Sequence, residues 1–73
     1  MSKADDMFEE LGFKKIENKQ QINYVGMTDN IVFLINYKKI EYDFLRGSTF
    51  RIQTMQELKA INEKCKELGW VNE

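Results

Sequence analysis

Polar and apolar positions change period twice along this chain. Near the start, Ala4, Met7, Phe8 and Leu11 recur at three- and four-residue intervals, the spacing of one helical face. Ser2 stands where an N-cap is needed, and Asp5 and Asp6 fall in the first turn, where the helix dipole favours negative charge. The middle of the chain alternates instead. Ile22 and Tyr24 alternate with polar neighbours, as do Ile40, Tyr42 and Phe44, while residues 31–37 are richer in apolar side chains. That period of two predicts short strands. Helical spacing then returns with Met55, Leu58, Ile61, Cys65 and Leu68, introduced by the capping-box pair Thr54 and Glu57.

Both helical segments end alike, in Glu10-Leu11-Gly12-Phe13 and Glu67-Leu68-Gly69-Trp70. A glycine just past a helix takes the left-handed conformation, and the apolar residue after it folds back on the last turn. Phe13 is therefore expected on Phe8, and Trp70 over Cys65. With no proline and no linker-like stretch, residues 1–73 read as one domain. The predicted fold is α+β: a helix, an antiparallel meander of about four strands, and a second helix, with both helices on one sheet face.

Side-chain parity gives the sheet a trial register. A two-residue turn at Lys38-Lys39 pairs Tyr37 with Ile40, Ile35 with Tyr42 and Phe33 with Phe44. A turn around Arg46-Gly47-Ser48 then pairs Phe44 with Phe50 and Tyr42 with Ile52. The inner face reads Tyr24, Phe33, Phe44, Phe50 in one row and Ile22, Ile35, Tyr42, Ile52 in the next, all apolar or aromatic. Residues 14–17 form an edge strand with Ile16 turned inward.

On the outer face the same register sets Val25, Val32, Leu45 and Thr49 in one row. Asn23, Leu34, Asp43 and Arg51 form the next, and Gln21, Asn36, Glu41 and Gln53 the third. Asp43 and Arg51 oppose each other as a cross-strand ion pair. Val25, Val32, Leu34 and Leu45 make an apolar strip on a face otherwise polar. Three readings stay open, one of them that a helix covers this face. A central strand is often apolar on both sides, and clustered aliphatics often mark a contact with another protein or a second copy.

Composition narrows the chemistry. Eleven Lys and Arg against 12 Asp and Glu give a net charge of −1, which fits neither a strongly basic nucleic-acid binder nor an acidic disordered tail. There is no histidine, so the usual base near neutrality is missing and no zinc or copper site is expected. Neither catalysis nor a cofactor is expected. Cys65 is the single cysteine; it cannot form an internal disulfide, and its place mid-helix marks it as core rather than nucleophile. Asp5, Asp6, Glu9 and Glu10 read as solvating charge. The longest apolar run, from Ile31 to Ile35, has five residues, too few to span a bilayer, and the first residues lack a hydrophobic signal. A cytoplasmic location is expected.

The alternative to protein binding is phosphate contact through Lys14, Lys15, Lys38, Lys39 and Arg46. Against it, the aromatics needed for base stacking all fall on the inner face. Lysines at a turn and on an edge strand also serve to discourage edge pairing.

A short helix ending E-E-L-G-F, a lysine-rich aromatic meander and a closing T-M-Q-E-L-K-A-I-N-E-K-C-K-E-L-G-W together resemble a group of small proteins. These are open-reading-frame products of phages, prophages and mobile elements of low-GC Gram-positive bacteria. The resemblance covers nearly the whole chain. It implies this fold and that genomic setting, and it supplies no activity and no site residues.

Overall fold

A computed structural model describes residues 2–27, 29–44 and 54–71. The order is α1 (Lys3–Glu10), β1 (Lys14–Glu17), β2 (Gln21–Val25), β3 (Asp29–Leu34), β4 (Lys39–Phe44) and α2 (Met55–Glu67). The strands form one antiparallel sheet in the order β1-β2-β3-β4. This is the expected α+β arrangement. Among the described residues no helix is long and apolar enough to cross a membrane.

Local chemistry sets the helix limits. The Ser2 side chain accepts from the Asp5 amide, and that of Thr54 from the Glu57 amide, so each helix starts on a filled cap. Each ends in a Schellman motif. The Phe13 amide donates to the Phe8 carbonyl at 3.0 Å and that of Gly12 to Glu9 at 3.0 Å. The Trp70 amide likewise donates to Cys65 at 2.9 Å and that of Gly69 to Lys66 at 3.0 Å. Gly12 and Gly69 adopt φ of 91° and 76°, the left-handed conformation the motif requires. The expected return of Phe13 onto Phe8 is present, with ring centroids 5.7 Å apart and edge to face.

The core lies between one sheet face and both helices. Ile22, Tyr24, Ile31 and Phe33 from the sheet meet Phe8, Phe13, Ala60, Ile61 and Cys65, with Trp70 packed against them. Phe8 stacks on Tyr24 at 3.9 Å, and Phe33 meets Trp70 at 6.0 Å. Burying each such large side chain contributes about 1.5–3 kcal/mol, and aromatic pairing adds about 0.5–1.5 kcal/mol.

The register differs from expectation in three places. β3 and β4 are joined by four residues, Ile35 to Lys38, and not by a Lys38-Lys39 turn. Phe33 therefore faces Ile40, and Ile31 faces Tyr42. Lys38 takes the left-handed conformation at φ 54°, and the Tyr37 amide donates to the Leu34 carbonyl, a longer hairpin loop built around a turn. Tyr37 is accordingly exposed, and Asn36 leaves the sheet. Between β2 and β3 the pairing is Tyr24 with Ile31 and Ile22 with Phe33. Both shifts keep side-chain parity, so Ile22, Tyr24, Phe33, Ile40 and Tyr42 stay on their expected face. The third difference is at β1, where Lys15 opposes Tyr24 and Ile16 opposes Asn23. Ile16 thus points outward and is 61% exposed.

α2 is also rotated from its expected face. Its buried residues are Ala60, Ile61, Lys64 and Cys65, whereas Met55 and Leu58 are exposed. Leu11 in the cap after α1 is exposed as well. The pairings of Phe44 with Phe50 and of Tyr42 with Ile52 lie outside the described residues.

Candidate functional site

The outer face carries the residues expected to contact a partner. Val25 stands between Lys14 and Asn30, and Val32 between Asn23 and Glu41; Leu34 lies between Gln21 and Lys39. These three aliphatics share the face, as expected, but differ in access. Val32 is only 8% exposed, while Val25 and Leu34 are half-buried. The reversed phase of β1 adds Ile16 to the same face, in the row of Asn23 and Val32. Asp43 lies opposite Asn30 in β4. Its expected partner Arg51 lies outside the described residues, as do Leu45 and Arg46.

Two polar groups on this face stand out. The side-chain oxygens of Asn23 and Asn30 are buried without a hydrogen-bond partner. They sit diagonally around Val25 and Val32, because Asn23 opposes Val32 and Asn30 opposes Val25. A buried acceptor left unpaired costs about 1–3 kcal/mol. Both side chains are half-buried rather than enclosed, so rotation about the terminal torsion can turn the oxygen outward. Neither the spacing nor the composition signals this pair.

The basic residues do not form one surface with free charge. Lys14 is exposed on the edge strand, and Lys38 and Lys39 are exposed around the β3–β4 loop. Lys15 points the other way, toward α1. Its ammonium lies 2.7 Å from Asp5 Oδ2 and 3.1 Å from Glu17 Oε1. It belongs to a polar joint that ties four elements together.

Asp5 is the centre of that joint. Its carboxylate accepts from the Tyr24 hydroxyl at 2.5 Å and from Lys15, with Lys64 Nζ at 3.4 Å. Lys64 also lies 3.4 Å from Glu67 Oε1 and is only 6% exposed. Glu67 accepts in turn from the Ser2 hydroxyl at 2.6 Å and the Ala4 amide at 2.9 Å. Burial works to raise the Asp5 pKa, but hydrogen bonds from Lys15 and Tyr24 and the nearby Lys64 charge outweigh it, leaving it below 3.8. Glu67 behaves alike: burial is overcome by the Ser2, Ala4 and Lys64 contacts, and its pKa falls below 4.5. The Asp5 bond, chiefly, pushes Lys15 up. Burial first, then the bond to Asp5, pushes the Tyr24 hydroxyl well above its ordinary range.

Asp5 is therefore no solvating charge. The signal for the joint was a lysine at position 64, on the apolar side between Ile61 and Leu68. In this arrangement the carboxylates of Asp5 and Glu67 are already engaged by donors, which suits them to holding elements together. A shallow groove of about 360 Å³ runs beside the joint between α1 and β1, with Phe8, Phe13 and Tyr24 behind and Asp6, Glu9 and Lys14 at its rim. Cys65 is a buried free thiol whose pKa burial raises. No protein family, curated protein or solved structure matches this chain.

Proposed function

We propose that the protein is a non-catalytic binding module that docks another protein on the outer face of its sheet. The setting implied by the sequence resemblance, an accessory protein of a phage or mobile element acting in the cytoplasm, is part of this proposal. The observation that carries it is the pair of unpaired amide oxygens of Asn23 and Asn30 set among Val25, Val32 and Leu34. A partner offering an apolar patch with N–H or O–H donors at its edge would cover the aliphatics and satisfy both acceptors. Interfaces are built on such apolar centres with polar groups around them.

Leu34→Lys tests the proposal. Tagged wild-type protein should retain a specific protein from nuclease-treated lysate, and the variant should lose it while its melting temperature stays within a few degrees. A large fall in melting temperature would place Leu34 in the core. Material retained only while nucleic acid is intact would favour phosphate contact by Lys14, Lys38 and Lys39. That second reading is weaker, because Lys15 is neutralised by Asp5 and Glu17 and the rings of Tyr24 and Phe33 are buried.

A further inference from the structure

The sheet order leaves β1 with β2 as its one paired neighbour among the described strands. Its backbone polarity can be read from the turns. The Asn18 amide donates to the Gln21 carbonyl, the Ile35 amide to Gln20 and the Gly26 amide to Asp29. Hydrogen bonding alternates along an antiparallel ladder. Even-numbered residues of β2 therefore bond to β3, and odd-numbered ones bond to β1. In β1 it follows that Lys14 and Ile16 turn their backbone groups toward β2. Lys15 and Glu17 turn theirs away from the sheet, where each offers one N–H and one C=O to a further strand.

The usual protections of such an edge are weak here. All four residues of β1 are exposed, and among the described residues no other strand lies along its outer edge. Lysine on an edge strand discourages pairing, but the Lys15 charge is held by Asp5 and Glu17 at 2.7 and 3.1 Å. The outward neighbour on the strand is apolar Ile16, which lies 61% exposed.

The edge is also complementary to itself. We propose that two copies pair antiparallel through β1, with Ile16 facing the partner's Ile16 across a twofold axis. Lys15 then stands opposite the partner's Glu17, and Glu17 opposite the partner's Lys15. The outward backbone groups of Lys15 and Glu17 fall in the hydrogen-bonded pairs of this register, giving four main-chain bonds. The Ile16 pair takes the closer, non-bonded position, where side-chain contact is greatest. Opposite charges meet in both flanking pairs, and they meet on the helix side, where Lys15 already reaches Asp5. A one-residue slip loses this match, setting Lys15 against the partner's Ile16. The twofold axis runs normal to the sheet, so the two four-stranded sheets continue as one. Both outer faces then look the same way.

This inference does not rest on the protein-binding reading. Its test is the mass of the 8.7 kDa chain in sedimentation or light scattering, from micromolar to millimolar concentration. Wild type should approach twice the monomer mass. Ile16→Lys and Ile16→Asp should each weaken dimerisation by about tenfold or more, since like charges then oppose each other at the axis. Mixing the two variants should restore a dimer, because Lys and Asp then face each other. Both variants should keep the wild-type circular dichroism, given the exposure of Ile16. Leu34→Lys should remain dimeric. A wild type that stays monomeric overturns the proposal, as do Ile16 variants that dimerise normally or a mixture that stays monomeric. A dimer lost in Leu34→Lys and kept in the Ile16 variants would move the contact to the outer face.

Discussion

Glu67, in the last turn of α2, accepts a hydrogen bond from the Ala4 amide in the first turn of α1 at 2.9 Å. The last turn of α2 thus caps the first turn of α1. Its second oxygen takes the Ser2 hydroxyl, and that hydroxyl in turn accepts from the Asp5 amide at 3.0 Å. The first turn of α1 leaves donors that the helix itself cannot satisfy, and a carboxylate there also complements the helix dipole. Glu67→Ala should cost about 1–2 kcal/mol, a fall in melting temperature of roughly 4–8 °C per kcal/mol for a domain of this size. Glu67→Gln, which keeps an acceptor, should lose less. Equal losses in thermal melts of the two variants would show that the charge, and not the hydrogen bond, matters.

The joint also sets how stability depends on pH. Asp5 and Glu67 have folded pKa values below their ordinary 3.8 and 4.5. The unfolded chain then binds protons first as pH falls. Their contribution is complete above those ordinary values and is lost as pH drops through the folded ones. Asp5→Asn should lower stability at neutral pH by roughly 2 kcal/mol and flatten the decline below about pH 4. Denaturant midpoints measured from pH 7 to pH 2 would show both effects. A variant with an unchanged acid slope would show that Asp5 does not drive it.

Tyr24 acts at the other end of the scale. Burial and the Asp5 contact raise its pKa above the ordinary 10.0. A group raised in the folded state contributes stability below its unfolded pKa and loses it as pH rises further. Stability should therefore begin to fall above about pH 10. Spectrophotometric titration should show one of the three tyrosines ionising only on unfolding. In Tyr24→Phe that delayed step should disappear.

Much of the fold was legible because caps and parity are local. Gly12 followed by Phe13, and Gly69 followed by Trp70, announce where each helix stops. Alternation assigns Ile22 and Tyr24 to one face, and parity across the hairpin adds Phe33. Registers were less legible, because a slip of two residues leaves each side chain on its own face. Turn geometry decided between them, and Lys38 at φ 54° is not what turn preferences anticipate. Hydrophobicity alone places Ile16 inward. The inner place went instead to Lys15, whose ammonium has Asp5 and Glu17 to meet. The same blind spot hid Lys64. A charge can occupy the apolar side of a helix when a carboxylate from another element meets it, here Asp5 of α1, and no spacing rule within α2 reveals that partner. Asn23 and Asn30 showed only ordinary alternation, so their unpaired oxygens emerged from packing.

Cys65 should behave as a core residue. It is 8% exposed, its carbonyl accepts from the Trp70 amide, and burial raises its thiol pKa. A thiol reagent acts on the thiolate, so the native protein should react slowly at neutral pH, and the denatured protein at the rate of a free cysteine. Reaction as fast in the native state would mean that the α2 end opens readily.

The two glycine caps make the sharpest stability test, since each supports an aromatic residue of the core. Gly12 and Gly69 hold φ of 91° and 76° with nothing within 4 Å of where a Cβ would sit. A substitution there meets no steric obstacle beyond its own backbone, so its cost isolates the left-handed conformation. For an L-residue that is about 1–2 kcal/mol. Gly69→Ala and Gly12→Ala should each lower the denaturant midpoint with the slope unchanged, and Asn at either site should recover part of the loss. The sites lie at the ends of different helices, so the double variant should show additive losses. A neutral Gly69→Ala would mean that α2 ends differently in solution, and that the Trp70 amide is not held by the Cys65 carbonyl.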